Sequence, residues 1–139
     1  MNINEILKTD ESRKSFLLGL VFLSKCDGVV DEEEKKFFLN AAIALQISEN
    51  SKREIDLAWN QEVMPKLSFS NKKEKLFFIM QAIQLSNVEN FYSTEEKKFI
   101  YSVASDLGVS KESVQEIEVW VEEGIRWQVR GEKLLELEV

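Results

Sequence analysis

The sequence predicts an all-α domain of about seven helices, internally duplicated. Three observations carry this expectation. One proline and five glycines in 139 residues leave little turn chemistry, which favours a few long elements over many short strands. Apolar residues recur at helical spacing in one segment after another. The stretch DEEEKKFFLNAAIALQIS at 31–48 is echoed by STEEKKFIYSVASDLGVS at 93–110.

A short helix near 3–8 comes first. Residues 13–26 are apolar nearly all round, as befits a helix buried at the centre. An acidic loop follows, then an amphipathic helix near 32–46. Its Phe37, Phe38, Ala41, Ala42 and Leu45 make an i, i+1, i+4, i+5, i+8 stripe. Asp31 and Glu34 have the spacing of an N-cap and its capping-box partner, and Ser48 is placed to cap a helix near 49–60. Residues 61–70, with Pro65, form a link.

The plan then repeats. A buried helix at 72–88 and a short acidic loop lead to an amphipathic helix near 94–107, where Phe99, Ile100, Val103, Ala104 and Leu107 restate the stripe. Ser93 and Glu96 are its cap and box partner, Gly108 its stop, and Ser110 caps a further helix near 111–128. Matching Glu34 to Glu96 sets the offset at 62 residues, and Phe16 then falls on Phe78 and Leu23-Ser24 on Leu85-Ser86. Two copies are too few for a solenoid, so the expectation is one pseudo-symmetric domain. Its first repeat covers about 12–60, its second about 71–125, and a tail 126–139. Gly124 and Gly131 weaken a continuous helix there, and LLELEV is compatible with a helix or an extended arm. Trp120 and Trp127, seven apart, share a helical face; core packing is the expectation and a partner surface the alternative.

The loop CDGVVDEEE at 26–34 carries the candidate site. Setting Gly28 at position 6 of a calcium loop puts Asp27 at 5, Asp31 at 9 and Glu34 at 12, but Leu23 at 1 and Lys25 at 3. A hydrophobe and a cation at ligand positions exclude an EF-hand. Glu34 nevertheless sits on the edge of its helix that faces the core, as Glu96 does in the second copy, and a carboxylate so placed needs a donor or a cation. A capping box meets that need. So does convergence of Asp27, Asp31 and Glu34 on calcium or magnesium, with Gly28 making the turn. The two are compatible, because one oxygen can cap while the other coordinates. In the second corner Glu89-Asn90 replaces Asp-Gly and Ser93 replaces Asp31, which leaves Glu96 with Glu89 as a weaker pair.

Other chemistries are narrowed by composition. Without histidine there is no Ser-His or Cys-His nucleophile and no HExxH zinc site. The single cysteine, Cys26, excludes an internal disulfide and reads as a small core residue at a helix C-terminus. A net charge of −7 argues against nucleic acid. Lys35-Lys36 and Lys97-Lys98 follow glutamates at i,i+3 spacing, as surface ion pairs do. No signal-peptide pattern opens the chain, and the apolar run 16–23 falls far short of the ~20 residues of a membrane span. A cytoplasmic protein is the default. A hydrolase using Asp27 or Glu34 as acid or base stays as a remote alternative.

A buried helix, then DGVVDEEE, then an amphipathic helix ending LQIS resembles the TerB-like tellurite-resistance family, and the same module resembles the N-terminal region of DjlA-type co-chaperones. The second copy, ending DLGVS, is similar to that family's second half, and the resemblance spans about 12–125. It implies a helical domain without established catalytic activity, associated with tellurite resistance and stress responses. It also implies protein partners, in metal-linked complexes at the inner membrane surface. The family's acidic motif carries over to Asp27, Gly28, Asp31 and Glu34, and in the second copy to Glu96, while Glu89 and Asn90 depart from it.

Overall fold

The computed structural model describes residues 2–26, 28, 32–88 and 92–137, without the side chains of residues 34 and 88. Among them are seven helices and no strand: α1 (Ile3–Ile6), α2 (Asp10–Lys25), α3 (Glu32–Ala44), α4 (Glu49–Ala58), α5 (Lys72–Val88), α6 (Thr94–Asp106) and α7 (Lys111–Leu135). None is long and apolar enough to cross a membrane. The openings of α5, α6 and α7, at 72, 94 and 111, each lie 62 residues after those of α2, α3 and α4, at 10, 32 and 49.

Short-range chemistry sets the helix ends. Thr9, Ser48, Ser93 and Ser110 each accept, through a side-chain oxygen, a backbone N–H three residues on, and Asn71 does the same for α5. Past α6, Gly108 turns left-handed at φ +77°, and past α3 Gln46 does so at φ +55°. Both ends carry the same pair of closing bonds. Gly108 N–H donates to the Ser105 carbonyl and Val109 N–H to that of Ala104, while Gln46 N–H donates to Ile43 and Ile47 N–H to Ala42. Gln46 adopts a conformation that costs a non-glycine residue about 1 kcal/mol.

α2 and α5 are the central pair. Phe16 stacks on Phe77 at 5.6 Å and meets Phe78 edge-on at 6.2 Å, and Phe78 in turn lies 5.7 Å from Phe69. Gly19 admits the Phe78 ring so closely that a Cβ there would stand 2.4 Å from two ring carbons. The same interface buries a carboxylate. Glu74, 2% exposed, accepts the Ser12 hydroxyl at 2.7 Å and the Ser70 N–H at 2.5 Å. Around this pair α2 is tied to its neighbours by charge. Asp10 accepts the Ser48 N–H and the Ser51 hydroxyl at the mouth of α4. Arg13 donates to the Leu7 and Leu45 carbonyls, and Lys25 to those of Ala58 and Gln61 at the α4 C-terminus.

Two expectations need correction. Phe37 belongs to no buried stripe and is 62% exposed. Phe38, Ala42 and Leu45 fill the core side of α3, and Phe37 lies about 100° round the helix from Phe38, with its ring edge-on to it. The last helix does not stop near 128: α7 runs unbroken through Gly124 and Gly131 to Leu135. Each glycine costs a helix about 1 kcal/mol, which flanking Glu, Arg, Lys and Leu in a 25-residue helix outweigh. The link at 61–70 is part of the body, with Leu67 buried and Ser68 N–H donating to Ser15 Oγ.

Candidate functional site

Of the acidic corner, Asp27, Asp31 and the Glu34 side chain lie outside the described residues, as does Glu89 of the second corner. Gly28 takes the left-handed turn at φ +82° that its side-chain-free backbone favours, and its N–H donates to the Lys25 carbonyl. Cys26 caps the C-terminus of α2 and packs against the core. Glu96 forms a complete capping box. Its Oε1 accepts the Ser93 N–H at 3.0 Å while Ser93 Oγ accepts the Glu96 N–H at 3.1 Å. The need of this half-buried carboxylate for a donor is therefore met by backbone. Among the described residues no group of three or more potential metal-ligating side chains comes together.

A different polar cluster occupies the α6–α7 seam. Tyr101 donates its hydroxyl to Glu118 Oε1 at 2.5 Å, and Lys97 Nζ stands 3.9 Å from Oε2. Lys97 also lies 6.0 and 5.9 Å from the ring centres of Tyr92 and Tyr101. Lys35 keeps the expected i,i+3 contact with Glu32, at 3.6 Å, whereas Lys97 reaches across to the next helix. Tyr92 feels the Glu118 charge, although its hydroxyl and Glu118 Oε2 are buried without a hydrogen bond of ordinary geometry.

Burial first, then the Glu118 charge, pushes Tyr92 above the ordinary tyrosine value; burial and its hydrogen bond to Glu118 do the same to Tyr101. Both remain donors at neutral pH, so the cluster offers no phenolate base. It clamps α7 onto α6. Sequence reasoning missed it, yet a signal was there. Set back by 62 residues, Glu118 falls on another carboxylate, Asp56, but Tyr101 falls on Leu39, so the hydroxyl that can meet the acid belongs to the second copy alone.

Beyond the clamp α7 leaves the body. Val114 and Val121 are its buried residues, and every side chain from Glu122 to Leu137 is exposed. Trp120 is 45% and Trp127 76% exposed, so the core role expected of them is not met. They lie with Leu134 on one face, at spacings of seven, as the alternative of a partner surface requires. The reason is geometric: α5 and α6 cover only the first three turns of α7, and no element of the described chain reaches the rest.

No protein-family model, no curated protein and no solved structure matches this chain.

Proposed function

We propose that the chain is a non-enzymatic helical module, TerB-like in kind. Its α7 overhang takes a protein partner, and its acidic loop between α2 and α3 takes a divalent cation. The observation that carries the reading is the exposed apolar face of α7, with Trp127 76% exposed on a helix clamped at its other end. Large aromatics are the side chains that most often dominate binding energy when a partner covers them. The internal duplication belongs to the same proposal. It is supported by helix openings 62 residues apart and by the Ser12–Glu74 and Phe16–Phe78 contacts, which join positions separated by that same interval. The cation rests on CDGVVDEEE and on the left-handed Gly28 turn. The association with tellurite and stress responses rests on the resemblance alone.

Two measurements test this. Calorimetric titration of the wild type and Asp27→Ala with calcium, magnesium, manganese and zinc should show binding that the variant loses; equal behaviour without binding below millimolar concentration removes the cation. Capture of protein partners from native lysate should fall in Trp127→Ala. The Glu96 capping box favours a second reading, in which the acidic corners serve folding only. Glu34→Gln would then lower thermal stability and leave both cation titration and partner capture unchanged.

A further inference from the structure

We propose that the partner of the α7 overhang is a second copy of this chain, packed antiparallel along the same helix. This deepens the proposed interaction role and rests on it. Trp120, Gly124, Trp127, Gly131 and Leu134 follow one another at spacings of four, three, four and three. That is the 3.5-residue rhythm of a helix–helix seam rather than of a surface wetted at random. Large and absent side chains alternate along it. Nothing among the described residues accounts for the two glycines: a Cβ at either would meet no atom within 4 Å, and each weakens the helix.

A two-fold axis crossing α7 between residues 125 and 126 explains the pattern. It sets Trp120 of one copy opposite Gly131 of the other, and Gly124 opposite Trp127, so each indole faces the gap left by a missing Cβ. The same axis sets Leu134 opposite Ile117, which is partly buried in its own body. No other part of the seam has to be moved to satisfy these three pairings. Knob and hole are complementary under one symmetry operation, as an isologous interface requires.

Charge agrees with the same register. Glu123 and Arg130 lie on one flank of the seam, seven residues apart, and the axis brings Glu123 of each copy beside Arg130 of the other. From residue 122 to 137 there are four carboxylates (Glu122, Glu123, Glu132, Glu136) and three cations (Arg126, Arg130, Lys133). This overhang is thus nearly neutral in a chain of net charge −7, so the bodies repel while the helices do not. Phe37 on one flank of α3, and Leu39 with Ile43 on the other, are exposed apolar residues too, but they carry no such self-complementary order.

Sedimentation equilibrium of the full chain, from micromolar to submillimolar concentration, should pass from 16.1 kDa towards twice that mass. Trp127→Ala should raise the dimer dissociation constant by about 30-fold, and Gly124→Leu, which fills a hole without touching the monomer, should abolish association. Phe37→Ser should leave it unchanged. Glu123→Arg and Arg130→Glu, each alone, should be monomeric, and mixing the two should give a heterodimer, because each then supplies the charge that the other lacks. A chain that stays at 16.1 kDa throughout overturns the second-copy assignment, whether or not a different protein is captured through Trp127. So does a dimer that Phe37→Ser breaks, or one that Trp127→Ala and Gly124→Leu leave intact. Loss of lysate capture in Trp127→Ala tests the interaction role separately.

Discussion

Helices α2 and α7 both carry glycine in their interiors, and the two uses of glycine are opposite. Gly19 lets the Phe78 ring of α5 rest against the α2 backbone, so the residue is missing a side chain because the core occupies its place. Gly124 and Gly131 face open space on a helix that has left the body. α2 is tied to α4 and α5 by Asp10, Ser12 and Lys25. α7 is held only over its first three turns, packed on α5 and α6 and bonded to α6 by Tyr101 and Glu118, and then continues uncovered. α2 thus stores much of the stability of the fold, while the far half of α7 contributes little to it and is available for contact. A region's worth to stability follows what surrounds it rather than its own helix propensity.

The hardest blow to this contrast falls on the buried carboxylate. Glu74→Leu removes the acceptor of Ser12 and Ser70 at the α2–α5 interface and should cost about 3 kcal/mol in denaturant unfolding. A loss below about 1 kcal/mol would deny α2 and α5 their central role. Next, Gly19→Ala gains helix propensity but drives a methyl into a ring held by Phe16 and Phe69, and should be destabilising by about 1–2 kcal/mol net. Gly124→Ala has only the propensity gain. It should strengthen the end of α7 by up to about 1 kcal/mol, read by hydrogen exchange at concentrations where the chain is monomeric. If both alanines act alike, the distinction between the enclosed and the open glycine is wrong.

The seam between the two regimes can be followed by pH. Tyr92 and Tyr101 are the only tyrosines in the chain, so tyrosinate absorbance reports the clamp alone. Their folded values are raised above the ordinary 10, so the folded state holds protons that the unfolded state releases. The stabilisation is complete below pH 10 and is lost as pH rises through the folded values. Tyrosinate absorbance should therefore lag behind that of the unfolded chain above pH 10 and appear with unfolding. Glu118→Gln should bring ionisation back towards 10. The smallest effect belongs to Trp127→Ala, which should shift the unfolding free energy of the monomer by less than about 0.5 kcal/mol. A larger loss would place Trp127 in the fold after all.

Much of this architecture was legible residue by residue. Ser48, Ser93 and Ser110 announced three helix starts, Gly108 one helix stop, and Ser93 with Glu96 a capping box, because each of these is a bond between near neighbours. The all-round apolar segments became the buried α2 and α5. The candidate site was legible only in part. Trp120 and Trp127 were named as a pair on one face, but whether that face meets core or solvent depends on how far α5 and α6 extend beside it. Asp27, Asp31 and the Glu34 side chain lie outside the described residues.

By itself, then, the sequence determined the helices, their order and most of their ends, since hydrophobic period and capping are decided within a few residues. Tertiary structure alone decided that Glu74 is buried and Phe37 is not, that Lys97 answers Glu118 rather than a glutamate of its own helix, and that α7 outruns the body. Those outcomes depend on partners 17, 21 or 62 residues away, where no local rule reaches and packing chooses which side chains meet.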